Sequence, residues 1–429
     1  MIGRHGFSFS ACRRGTAVRL LYTVLLCVSL PAVLARLLWR SRRDRRYRQR
    51  WAERFGRVGV SPSPGTVWLH AVSVGEVRAA EPVIRALRQN RPAIPLHITT
   101  VTPSGAELVR RLFGDTVTLS YLPYDLPGTV SRFLHRVQPV LALVMETELW
   151  PNLFHACHKR GIPLCLLNAR LSDRSFRRYR RLPGLVRATL RKASLIAAQG
   201  EQDAQRFREL GAGAGTVHRA GNLKFEAAAD LSRPEDRRLR SRQRFVWLAA
   251  STHAGEEQQV LDAFSQVADV LLVLVPRHPE RAGRVRALCI GRGFSTALLS
   301  EGGDDDAQVL VGDTLGELPS LFAGADVAFL GGSLVPHGGH NPLEAAAAGV
   351  PVVTGPAVSN FEDIYRLMTE AGAARLIRDA DELALSIRAW LDDEEARRRA
   401  GEAGRQVVER NRGALARTMA LLEPFLPPR

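Results

Sequence analysis

Several short stretches place titratable side chains where chemistry can be done. "AVSVGEV" (71–77) sets Glu76 behind an apolar run and ahead of a helical pattern starting near Arg78. A carboxylate there can serve as a general base, or as a first-turn acid favoured by the helix dipole. "METELWPN" (145–152) puts Glu146 and Glu148 behind another apolar run. Two acids so placed are costly unless paired, with an arginine such as Arg170 as the candidate partner, or functional. "GNLKF" (221–225) carries Lys224, one of three lysines (with Lys159 and Lys192) among 60 basic residues. A compact ammonium at that position meets a substrate anion or is solvated.

Phosphate chemistry is offered further along. "AASTHAGEE" (249–257) supplies Ser251 and Thr252 as helix caps and phosphate ligands, and "VPRHPER" (275–281) supplies Arg277 and His278. In "GDTLGEL" (312–318) the backbone amides of Gly316–Leu318 can face a base or ribose. "GGSLVPHGGHNPLEAAAAGV" (331–350) sets Gly331, Gly332, Gly338 and Gly339 ahead of an alanine-rich helix at 342–348 holding one acid, Glu344. Bare backbone lets a phosphate reach main-chain amides, while Glu344 can accept hydrogen bonds from ribose hydroxyls. His337 and His340 at i, i+3 find no third ligand nearby in sequence, and a helix turns His155, Cys157 and His158 to different faces, so no metal is expected. There is no GxxxxGK[ST] and no strand-flanked GxGxxG with a downstream acid, which excludes P-loop and dinucleotide readings.

All of these stretches but "GNLKF" have one thing in common: each follows a candidate strand. Apolar runs at 66–72, 96–101, 117–122, 140–145, 163–169 and 194–199 alternate with helical patterns such as 78–90. After a charge-dense linker at 230–244 the pattern restarts at 245–251, 270–276, 307–313, 326–332 and 350–355. The alternation predicts an α/β chain of two Rossmann-like domains facing a cleft, with ligands off the carboxyl ends of parallel strands. The expected divisions are 1–57, 58–228 and 229–429.

Composition narrows the partners. The net charge of +17 calls for an anion: nucleic acid, an acidic membrane surface or a phosphorylated substrate. Cys12, Cys27, Cys157, Cys165 and Cys289 show no paired spacing and read as buried free thiols in a reducing compartment. Residues 20–35 are uncharged and bracketed by Arg19 and Arg36. Ten arginines against two acids follow between Arg36 and Arg57, and four arginines precede. This predicts an uncleaved membrane anchor with the body of the protein in the cytoplasm, spanning or lying in the interface. Dispersed arginines with 7% aromatics argue against a nucleic-acid partner.

Taken together, "HAVSVGEV", "TVTPSGAE", "YLPYDLP", "METELWPN", "NARLSDRS", "GNLKF", "ASTHAGEE", "VPRHPER", "GDTLGEL" and "GGSLVPHGGHNPLEAAAAGVPVVTGP" resemble the Kdo (3-deoxy-D-manno-octulosonic acid) transferases, a GT-B glycosyltransferase family. The match runs from the anchor to about residue 370. The resemblance implies transfer of Kdo from CMP-Kdo to the lipid A precursor lipid IVA at an inner membrane, inverting and without cofactor or metal. It implies an acceptor-binding domain at 58–228 and a donor-binding domain at 229–429. It also makes Glu76 the general base and Glu146 and Lys224 transition-state stabilisers. CMP is then held by Pro276 and Arg277, by Gly316, Glu317 and Leu318, and by Asn341, Pro342, Leu343 and Glu344. The rival readings are another GT-B enzyme or a non-hydrolysing sugar-nucleotide epimerase, whose acids after the first-domain strands differ in kind.

Overall fold

A computed structural model describes residues 9–59, 63–229, 239, 244–301, 306–314 and 316–428. The chain forms two compact units, one of residues 1–227 with 413–429 and the other of residues 228–412. Most of the expected linker at 230–244 lies outside the described residues.

The first unit holds β1 (Val67–His70), β2 (Leu96–Thr100), β3 (Thr118–Tyr121), β4 (Leu141–Met145), β5 (Leu164–Ala169), β6 (Leu195–Ala198) and β7 (Val217–Arg219). They lie in the order β3-β2-β1-β4-β5-β6-β7, and every pair is parallel. The strands β1, β2 and β4 to β6 are buried along their whole length, the pattern of a parallel sheet covered by helices on both faces. One layer of core packs the helix Val74–Asn90 against Leu69, Ile98 and Leu143; the other packs Trp68, Phe133, Phe154 and Leu166.

The second unit repeats the plan with β8 (Phe245–Thr252), β9 (Val270–Pro276), β10 (Thr296–Leu298), β11 (Val309–Val311), β12 (Val327–Leu330), β13 (Val352–Thr354) and β14 (Ala374–Leu376). Their order is β10-β11-β9-β8-β12-β13-β14, again parallel throughout. In each sheet the winding reverses once, between β1 and β4 and between β8 and β12. At such a point the loops after neighbouring strands splay apart and leave a crevice.

Four expectations need correction. The C-terminal segment does not belong to the second domain: Ala414 and Leu422 are fully buried in the first unit's core beside Met419 and Phe425. The Ala414 N–H donates to Glu226 Oε1 at 2.7 Å and Arg417 Nε to the Ala220 carbonyl at 2.8 Å. The helix after β1 begins at Val74, not near Arg78, so Glu76 stands in its first turn. The three-residue edge strands β7, β10 and β14 are additional to the expected set. Cys157, Cys165 and Cys289 are buried, but Cys27 is exposed. It lies on the helix Phe9–Arg43, whose stretch Ala17–Arg42 is long and apolar enough to cross a membrane.

Candidate active site

In the first unit, Glu76 follows β1 and Glu146 follows β4, the two strands that flank the winding reversal. Glu76 reaches back over the helix start, and its Oε2 accepts the Val72 N–H at 2.6 Å. Burial is the main cause that pushes its carboxyl up to about 8, followed by the negative charge of Glu146. The Val72 N–H and Lys224 pull the other way, and Glu148 adds a smaller upward push. Glu76 thus stands in the first turn of its helix, tied to the backbone just before it, with its carboxyl pushed up toward neutrality.

Glu146 sits at φ +54°, in the left-handed region a side chain rarely adopts, while its N–H still donates to the Leu167 carbonyl at 2.8 Å. Such a backbone persists only where the surroundings impose it, and it turns the carboxylate toward Lys224, whose Nζ lies 3.5 Å from Glu146 Oε1. Glu148 is pushed up to about 7, mainly by burial, with the negative charge of Glu146 adding to it. Lys224 is placed by a residue that the sequence did not single out. Asn168, buried at the end of β5 with φ +52°, accepts the Leu223 N–H at 3.0 Å through Oδ1. The next amide, that of Lys224, donates to Asn222 Oδ1 at 3.0 Å. Three acids and one ammonium therefore gather at the reversal of the sheet, where a proton can be taken and a developing positive charge stabilised.

In the second unit the reversal lies between the loops after β8 and β12. The glycine-rich stretch after β12 is fastened by Glu256, fully buried in the first turn of the helix Glu256–Phe264. Its carboxylate accepts four backbone N–H groups: Gly332 at 2.7 Å, His253 at 2.9 Å, and Ser333 and Leu334 at 3.0 Å each. A Cβ on Gly331 would stand 2.6 Å from the Ser251 carbonyl oxygen, so only glycine permits this approach of the two loops. The stretch ends at the helix Leu343–Ala348, where Asn341 Oδ1 accepts the Leu343 N–H at 3.2 Å and Glu344 occupies the first turn.

Pro276 closes β9, and the exposed Arg277 follows, its N–H donating to the Thr252 carbonyl at 2.9 Å. Gly316, at φ +88°, precedes Glu317 and Leu318, which open the helix Leu318–Ala323. Ser251 and Thr252 do not cap a helix as expected. The N-cap is Gly255, Ser251 lies at φ +57°, and the buried Thr252 hydroxyl donates to Glu257 Oε1 at 3.1 Å. Glu257 in turn pairs with Arg281 at 2.6 Å.

The histidines are closer together than their spacing suggested. His253 Nε2 lies 3.0 Å from His340 Nε2, His337 stacks on His253 at 4.2 Å, and the His278 ring lies 6.2 Å from that of His253. Burial and the nearby Arg277 push His340 down to about 4. Among the described residues, no group of three or more His, Cys, Asp or Glu side chains is placed to hold a metal ion.

Residues 49–227 match the family model described as 3-deoxy-D-manno-octulosonic-acid transferase (kdotransferase), and residues 290–407 match glycosyl transferases group 1. The chain is 42% identical to the 3-deoxy-D-manno-octulosonic acid transferase of Haemophilus influenzae, across 95% of this chain and 99% of that one. It is 38% identical to that of Bordetella pertussis, across 94% and 99%. A UDP-GlcNAc 2-epimerase from Neisseria meningitidis superposes with a TM-score of 0.56 over 84% of this chain and 100% of its own, at 15% identity. That likeness shows the fold class, GT-B, and nothing of the activity.

Proposed function

This chain belongs to the 3-deoxy-D-manno-octulosonic acid (Kdo) transferase family and is a glycosyltransferase, and from that premise we propose that it moves Kdo from CMP-Kdo to lipid IVA with inversion. The observation that carries the reading is the gathering of Glu76, Glu146 and Lys224 at the reversal of the first sheet. A lipid hydroxyl attacks the anomeric carbon while Glu76 takes its proton. The bond from that carbon to the CMP phosphate breaks, and CMP leaves with the electron pair. Glu146, held in place by Lys224, faces the positive charge that develops on the sugar ring; Lys224 meets the anionic donor.

In the second unit, Arg277 beside Pro276, the Gly316, Glu317 and Leu318 amides and the turn from Asn341 and Pro342 to Leu343 hold CMP, with Glu344 on the ribose. A departing phosphate monoester finds its countercharge in Arg277 and these amides, so the reaction proceeds without metal. The basic N-terminal flank and the apolar helix keep the enzyme at the cytoplasmic face of an anionic inner membrane, where its acceptor resides.

The test supplies lipid IVA and CMP-Kdo, generated in situ because the donor is labile, and reads the lipid by mass spectrometry. Addition of Kdo by the native protein, its loss in Glu76→Ala with CMP binding intact, and an unchanged rate in EDTA are expected. Lost CMP binding in Glu76→Ala would assign Glu76 a structural role. Activity that EDTA removes and a divalent ion restores would overturn the metal-free step. No addition with CMP still bound would overturn the acceptor.

A further inference from the structure

The helix Phe9–Arg43 is fastened to the first unit at two places far apart along its length. Near its start, Arg19 donates to Asn152 Oδ1 at 3.1 Å, and the Tyr22 hydroxyl donates to Asp125 Oδ2 at 3.1 Å. Thr23 Oγ1 accepts from Asn152 Nδ2 at 3.0 Å. These partners are internal to the unit: Asp125 is 3% and Asn152 2% exposed, and the Asp125 carboxylate also accepts the Asn152 and Leu153 N–H groups at 3.0 and 2.8 Å.

At the far end, buried Ser41 accepts from Arg48 at 3.0 Å and Arg46 pairs with Glu107 at 2.6 Å. Arg50 donates to the Leu119 carbonyl at 2.5 Å and pairs with Glu53, which accepts the Tyr121 N–H at 2.9 Å. From Tyr22 to Ser41 a helix rises about 28 Å, close to the roughly 30 Å of bilayer hydrocarbon. Two points so separated, both joined to one water-facing unit, cannot stand on opposite sides of a membrane.

The helix surface divides accordingly. Val18, Tyr22, Leu26, Leu30, Leu34 and Leu37 recur every three or four positions and are partly covered. Leu20, Leu21, Val24, Leu25 and Val28 are all more than half exposed. Arginines stand on both sides of the apolar stretch, which suits a helix whose two ends both lie among headgroups.

Resting on the membrane reading above, we infer that the helix is monotopic. It lies as a strap in the plane of one anionic leaflet, with Leu20, Leu21, Val24, Leu25 and Val28 at the acyl boundary and the exposed Arg36, Arg40 and Arg42 at the lipid phosphates. The contacts of Tyr22 and Thr23 with Asp125 and Asn152 form the clasp that holds the acceptor unit down on the surface.

The test is sided labelling of the full chain in native membranes with an impermeant maleimide. It uses Ser10→Cys in a Cys12→Ser/Cys27→Ser background, with Glu394→Cys in the same background marking the side of the second unit. Labelling of both positions in inside-out vesicles, and of neither in spheroplasts, is expected. Labelling of residue 10 in spheroplasts, or only after detergent, would overturn the strap in favour of a spanning helix. Neither readout needs transfer activity, so a wrong acceptor leaves this inference standing.

A second measurement is co-sedimentation with phosphatidylglycerol-containing vesicles. Leu25→Asp/Val28→Asp should lower binding by about tenfold or more. Unchanged binding would overturn the assignment of that face. So would a high yield of Cys27–Cys27 cross-links in native membranes, which would place a second copy of the helix there.

Discussion

In the proposed reaction Glu76 carries opposite demands on folding and on catalysis. Its folded carboxyl sits at about 8 against an ordinary 4.5, so the native state holds the proton more tightly than the unfolded chain does. Its contribution to stability is therefore intact below about pH 4.5 and is lost as pH rises toward 8. Glu76→Gln removes the charge without the volume. It should raise the melting temperature at pH 8.5 and leave it unchanged at pH 4.5, while transfer falls roughly 10²- to 10⁴-fold. A lower melting temperature at pH 8.5 would show that the Val72 contact outweighs the buried charge. With Glu76 as the proposed base the same proton governs the rate: kcat/KM should rise with pH through about 8 and level off, because only the deprotonated carboxyl accepts the acceptor's proton. Lys224 lowers that value, so Lys224→Ala should displace the limb upward besides slowing transfer. A limb that stays in place would separate Lys224 from Glu76.

At the scale of elements, the glycine-rich loop after β12 is shaped less by its own residues than by Glu256 on a neighbouring helix. Glu256→Ala strands four backbone donors, and the loss should be on the order of 3 kcal/mol, or roughly 6–12 °C for a unit of this size. CMP affinity should fall with it even though Glu256 is buried away from solvent; calorimetric titration with CMP checks this, and native affinity would show that the loop holds its form unaided. The partners of that carboxylate are main-chain amides that leave no mark in sequence. "AASTHAGEE" accordingly read as a phosphate site of Ser251 and Thr252, whereas Thr252 is committed to Glu257. The long apolar strands were legible because burial on both faces demands unbroken runs such as Val270–Pro276. The edges β7, β10 and β14 were not, since three residues such as "VHR" carry no periodicity. Glu76 and Glu146 were readable as strand-end residues and Lys224 as a rare lysine, but Asn168 was hidden inside the apolar run of β5, where an asparagine looks like an interruption.

The whole molecule is one chain that leaves its first unit at residue 227 and returns to it at 413. The return brings Ala414, Met419, Leu422 and Phe425 into the core beside the helix Val74–Asn90, and Arg91 closes on the carbonyl of Pro427 at 2.8 Å and on the Glu423 carboxylate. Truncation after Arg412 should consequently destabilise the first unit and spare the second. Calorimetry of the truncated chain should show one lowered transition, with CMP still stabilising the other; loss of CMP binding would contradict the assignment. The same return orders events on the ribosome. Synthesis of residues 228–412 takes about 10–40 s at a rate of about 5–20 residues per second, and throughout that interval the sheet that emerged first lacks a strip of its core. The unit made second is the one whose sequence is complete first. The unit that holds Glu76, Glu146 and Lys224 is complete only once residues 413–429 have followed, by which time the apolar helix Phe9–Arg43 has long been in reach of lipid.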